Sequence, residues 1–145
     1  MTQDASDDLI RRVLGEVRTI AVVGASPNPA RPSFYVARFL AERGYDVIPI
    51  NPGQAGGEID GRPVYARLMD APRPIHMVEV FRASEHLAAV VEETLALAPL
   101  PRALWTQLDV RDDAATARAE AAGLDVIVDR CPKIEIPRLG IPPRG

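Results

Sequence analysis

The chain has a single cysteine, Cys131, so it cannot close an internal disulfide. No apolar run approaches the ~20 residues of a membrane-spanning helix. Neither charge sign dominates: a net charge of −3 gives no electrostatic case for nucleic acid or for an acidic membrane surface. The opening stretch, Met-Thr-Gln-Asp-Ala-Ser-Asp-Asp, is acidic and polar, unlike a signal or transit peptide. Together these absences predict a cytoplasmic protein. Lysine is almost missing, with Lys133 the only one. Composition leaves that arginine bias open between genome composition and heat adaptation. The two histidines, His76 and His86, lack metal-ligand spacing to any other His, Cys or acid, so no metal site is expected. Gly-x-Ser-x-Gly elbows, Cys/His pairs and P-loops are also lacking, and no catalytic constellation is recognised.

What is present is an alternation of strand and helix patterns. The 145 residues, 47% hydrophobic and 26% charged, suit one globular domain. A leading helix is expected over 7–17, with Leu9, Ile10, Val13 and Leu14 as its stripe. Ile20–Val23 reads as the first strand, followed by a helix over Ser33–Arg43 that Gly44 stops. Tyr45–Ile50 is the second strand. Residues 53–63, rich in glycine, form a loop or hairpin, and Val64–Leu68 a short strand and turn. Ile75–Val80 is the third core strand, and Ser84 reads as the N-cap of a helix over 85–97. Ala103–Gln107, a helix over Asp112–Ala122, and Val126–Val128 complete the pattern. The proline-rich tail, 132–145, is expected to be extended chain packed on the surface. Such alternation implies parallel βαβ units with right-handed crossovers. The predicted fold is α/β: a Rossmann-like, doubly wound, mainly parallel sheet of about five strands flanked by helices, with a core over about 19–130.

Ligands of such sheets sit at the carboxyl ends of the strands. That points to Gly24–Ser26, Asn51–Pro52, Phe81–Arg82, Thr106–Gln107 and Asp129–Cys131. Thr19-Ile-Ala-Val-Val-Gly-Ala-Ser reads as a buried strand entering a phosphate-holding turn. Yet the G-x-G-x-x-G pattern is incomplete, with Ser26 and Pro29 at the later glycine positions. The acid that would hold a ribose diol is replaced by Asn51. The site is therefore poor for NAD and permissive for a nucleotide phosphorylated on its ribose.

Several strand-end segments occur together: Val23-Gly-Ala-Ser-Pro, Gly44-Tyr-Asp-Val-Ile-Pro-Ile-Asn-Pro, Glu58-Ile-Asp-Gly, Val80-Phe-Arg-Ala-Ser-Glu, Trp105-Thr-Gln and Asp129-Arg-Cys-Pro-Lys-Ile-Glu. In this order they resemble the small single-domain CoA-binding proteins. The domain of those proteins is similar to the CoA-binding domain of the succinyl-CoA synthetase α subunit. The resemblance runs from about Thr19 to Leu139 and implies a single CoA-binding domain over 1–145. It implies that Gly24, Ala25 and Ser26 lie against the CoA phosphates and that Arg31 and Ser33 add donors. Asn51 and Pro52 would lie beside the adenosine part, and Phe81 and Arg82 would face the adenine or pantetheine portion. Trp105 and Gln107 would wall the cleft. One departure stands out: the family has a glycine soon after that glutamine, where this chain reads Gln107-Leu-Asp109.

The implied cofactor is CoA or an acyl-CoA, and the implied role is binding without evident catalysis. Two alternatives stay open: part of an acyl-CoA ligase assembly completed by a partner subunit, or an NAD(P)-binding oxidoreductase-type domain. A homo-oligomer or ligase partner is compatible with the sequence; a nucleic-acid or membrane partner is not expected. Arg31 and Arg82 are either anion ligands or solvated charges, and Trp105 either cleft wall or core. Cys131 is either a small buried residue or a thiol that forms a mixed disulfide with CoA. Glu79, inside a buried strand, is expected to pair with an arginine.

Overall fold

The computed structural model describes residues 5–144. The first half of the acidic opening stretch, residues 1–4, lies outside them. Helix α1 (Asp7–Glu16) is capped by Ser6, whose side chain accepts from the Leu9 amide, and it carries Asp7 and Asp8 in its first turn. Strand β1 (Thr19–Val23) leads to α2 (Pro32–Glu42), which has Pro32 at its first position. Then follow β2 (Asp46–Ile50), a small hairpin of β3 (Glu58–Ile59) and β4 (Arg62–Pro63), and β5 (Met77–Val80). Helix α3 (Leu87–Leu95), β6 (Ala103–Thr106), α4 (Asp113–Ala121), β7 (Asp125–Ile127) and α5 (Pro132–Leu139) complete the chain.

The main sheet is five-stranded with the order β2-β1-β5-β6-β7. All its pairings are parallel, in register Ile20 to Val47, Ile20 to Met77, Met77 to Ala103 and Ala103 to Asp125. Pro49 is tolerated in β2 because that strand lies at the sheet edge. Helices cover both faces. Ile10 and Leu14 of α1, Val36 and Leu40 of α2, and Ile136 of α5 pack with Ile20, Val22, Met77 and Trp105. Val90 and Val91 of α3 and Ala115 and Ala119 of α4 pack with Ala21, Val78, Val80 and Leu104 on the other face. Strands buried on both sides are continuous apolar runs, which is why they were legible.

Two local expectations are corrected. The segment after Cys131 is not extended: it forms α5, with Pro132 at the first position and Pro137 in the last turn. A proline near the start removes an amide that a helix leaves unpaired anyway. Pro137 forfeits one bond, while burial of Ile136 and the Ile141 amide on the Ile136 carbonyl (3.0 Å) hold the end. Ser84 does not cap α3. Its hydroxyl accepts from the Arg111 amide (2.8 Å) and donates to the Asp109 carbonyl (3.2 Å), tying two loops together.

Candidate functional site

The order of the strands reverses between β1 and β5, because β1 has β2 on one side and β5 on the other. A crevice opens at that point, beyond the carboxyl ends. Gly24 follows β1 with φ +90, and a Cβ placed on it would lie 3.3 Å from both the Arg82 amide nitrogen and the Phe81 carbonyl carbon. Glycine thus meets two demands: a left-handed backbone and close approach of two turns.

Three cavities line this edge. The first, about 310 Å³, is walled by Val23, Gly24, Asn51, Pro52, Arg67 and Arg82 among others. The second, about 410 Å³, takes in Gly24, Ala25, Ser26, Arg31, Ser33, Phe81 and Gln107. The third, about 480 Å³, includes Pro32, Tyr35, Gln107, Leu108, Cys131 and Lys133. Gly24 and Asn51 border the first two cavities, while Pro32, Gln107 and Leu108 border the last two. They form one groove suited to a long ligand.

The donors of the glycine turn are partly taken. The amides of Gly24 and Ala25 both donate to the Ile50 carbonyl, at 3.1 and 3.3 Å. They lock the turn to the end of β2. Asn51 reinforces the lock: its Nδ2 donates to the Ala25 carbonyl (2.6 Å), and its Oδ1 accepts from the Gly53 amide (2.8 Å). Ser26 Oγ accepts from the Asn28 amide (3.1 Å) and stays at the groove. Arg31 and Arg82 border the groove from opposite sides of the turn. Neither side chain has an ion pair or hydrogen bond among the described residues. Most other arginines near a carboxylate are paired, as Arg38 is with Asp60 (2.7 Å) and Arg12 with Asp125 (2.9 Å).

Trp105 is not a cleft wall. It is 0% exposed in the core, and its Nε1 donates to the Arg130 carbonyl (2.7 Å). Its large ring fits the space between β6 and the α1, α2 and α5 face. Gln107, two residues later, does reach the groove; it is 7% exposed, and its buried Oε1 has no partner among the described residues. Asp109 holds φ 68, a backbone that glycine adopts without strain, and its amide donates to Asp129 Oδ1 (2.7 Å). The departure from glycine is therefore accommodated by a side chain in the next loop.

Glu79 has no arginine. It is 0% exposed, and both carboxylate oxygens lack partners among the described residues. Burial pushes its carboxyl well above the usual range, and its electrostatic interaction with Cys131 acts in the same direction. His76 is structural: its Nδ1 accepts from the amides of Arg18 and Thr19, each at 3.0 Å. Arg67, Tyr35 and Leu108 also line the groove and were not singled out in the sequence, and Lys133 lines it too. Arg67 arrives through the Ile50–Tyr65 bridge, for which periodicity holds no signal. Among the described residues no group of His, Cys, Asp or Glu is arranged to hold a metal, and no helix is long and apolar enough to cross a membrane.

A parallel sheet with its groove at the switch point defines a nucleotide-binding type of α/β domain. The chain matches the CoA binding domain over residues 18–137 and belongs to that family. It is 35% identical over 133 residues to the uncharacterized protein YneT of Bacillus subtilis, covering 91% of this chain and 95% of that one. A solved structure from Thermus thermophilus is 38% identical with a TM-score of 0.87, covering 93% of this chain and 99% of the other. A hypothetical protein from Pyrococcus horikoshii is 33% identical with the same TM-score of 0.87, covering 96% and 97%.

Proposed function

We propose that the groove binds coenzyme A, free or acylated, and that the chain acts as a binding module without catalysis of its own. The observation that carries this reading is the pair of guanidinium groups, Arg31 and Arg82, that have no partner among the described residues and flank a turn that only glycine fits. Two cations with no protein partner beside an open cavity suit a ligand with several phosphate charges. In this reading the pyrophosphate lies along Gly24, Ala25 and Ser26, with Arg31 and Ser33 on one side. Asn51, Pro52, Phe81 and Arg82 border the adenosine end, and Gln107 the pantetheine arm.

The NAD(P) reading is weaker because the position of a ribose-binding acid is held by Asn51, whose carboxamide is engaged in the fold. The ligase reading requires a second subunit to supply the reacting groups. Calorimetry with CoA, acetyl-CoA, NAD and NADP decides. Micromolar or tighter binding of CoA species alone is expected; binding of a nicotinamide nucleotide instead, or of none of the four, would overturn the proposal.

A further inference from the structure

We infer that the first cavity is the subsite for a phosphomonoester on the ribose of the ligand and that Arg67 selects for it, an inference that rests on the CoA reading. The groove runs both ways from the glycine turn. One way it passes Gln107 and Leu108 to the third cavity, where the pantetheine arm lies in this reading. The other way it ends in the first cavity, beyond β2, which leaves that cavity to the adenosine end. CoA carries a phosphate there, on the 3′ oxygen of its ribose, in addition to its pyrophosphate.

The walls of this cavity suit that group. Ile50, Pro52 and Val90 offer apolar surface to a base, and Arg67 and Arg82 bring cations. Glu93 is the only acid among the lining residues, so two guanidinium groups stand against one carboxylate and the cavity is cationic. The stem of Arg82 packs on the turn, since a Cβ on Gly24 would lie 3.4 Å from Arg82 Cδ. Arg67 comes from a separate segment. The Asn51 amide donates to the Tyr65 carbonyl (2.9 Å) and the Tyr65 amide to the Pro49 carbonyl (3.1 Å), which lays that segment along the end of β2. Leu68, 1% exposed, anchors the chain directly after Arg67. The backbone of Arg67 is thus held in place before a ligand arrives, which lowers the cost of binding.

Two observations leave Arg67 available to an anion. Its ion pair, Nε to Asp70 Oδ2 at 3.7 Å, is longer than a hydrogen bond and joins two exposed side chains, so it contributes little and yields to a phosphate. Asn51 stands where a ribose-binding acid would repel that phosphate, and its carboxamide is bonded to the Ala25 carbonyl and the Gly53 amide. A guanidinium holds a phosphate dianion through two parallel N–H bonds, which a ligand without the ribose phosphate cannot accept.

The test is calorimetry of CoA and 3′-dephospho-CoA with the full chain and with Arg67→Ala. The full chain is expected to bind CoA roughly 10- to 100-fold more tightly than 3′-dephospho-CoA, the worth of one charge-assisted bond or a bidentate pair. Arg67→Ala should lose most of that preference by weakening CoA far more than 3′-dephospho-CoA, and its binding of the latter reports an intact fold. A preference that survives in Arg67→Ala would overturn the role of Arg67. Equal affinities of the full chain for the two ligands would overturn the subsite and leave the CoA reading intact. Binding of neither ligand by the full chain would overturn both.

Discussion

Glu79→Gln should change how stability depends on pH. In the native state the carboxyl is wholly buried, both oxygens lack a partner among the described residues, and burial holds it protonated well above the ordinary glutamate value of 4.5. In the unfolded chain it ionises near that ordinary value. Between the two, the unfolded state has released a proton that the native state keeps. Stability is therefore greatest below the unfolded value and falls as pH rises, by about 1.4 kcal/mol per unit, until the native carboxyl ionises. Glutamine does not titrate and removes this slope. It also adds amide hydrogens to a site with no partner, costing about 1–3 kcal/mol. Wild type should thus be the more stable near pH 4, and its advantage should shrink and reverse as pH rises. Asp7, Asp60 and Glu92 are each held below their ordinary values, first by hydrogen bonds from Arg138, Arg38 and Arg118 respectively. They make the opposite contribution, lost as pH falls, and it cancels in the difference between the two proteins. Urea unfolding from pH 4 to 8, followed by the fluorescence of the sole tryptophan, Trp105, measures that difference. A difference that stays constant across the range would refute the account of Glu79 as a buried neutral acid.

Three further outcomes are expected. Gly24→Val, in which the Cβ lies 3.3 Å from backbone at a φ of +90, should abolish CoA binding; unchanged affinity in a folded variant by calorimetry would move the site elsewhere. Arg82→Ala should weaken CoA binding by roughly 1–3 kcal/mol if its guanidinium meets a phosphate, with a correspondingly smaller thermal shift on adding CoA. Gly44→Ala would place a Cβ against the Arg144 carbonyl oxygen, at a φ of +95. The bond from the Arg144 amide to the Arg43 carbonyl (2.7 Å) should break, releasing the chain end to limited proteolysis, and an equally protected end would contradict this.

Much of the fold was legible because buried parallel strands announce themselves as short apolar runs. Ile20–Val23 and Ile75–Val80 read as strands without knowledge of their neighbours, and Asp112 and Gly123 bracket α4 as a cap and a stop should. The strand ends then pointed to Gly24, Arg82 and Gln107, and the family resemblance to Arg31, all of which border the groove. The proline-rich segment 132–139 was misread because local propensity disfavours a helix there, while burial of Ile136 supports one.

What the sequence by itself determined is the core strands and the helices between them, their order and the turn at Gly24 where glycine is needed, because periodicity and backbone preference act over a few residues. Tertiary structure alone decided which groups are partnered. The Ile50 carbonyl takes the amides of Gly24 and Ala25, and the sheet buries Trp105 and leaves Glu79 without a partner among the described residues. It also brings Gln107 and Cys131 to one cavity. Hydrogen bonding and burial depend on residues far apart in the chain, and that pairing exists only once the strands are laid side by side.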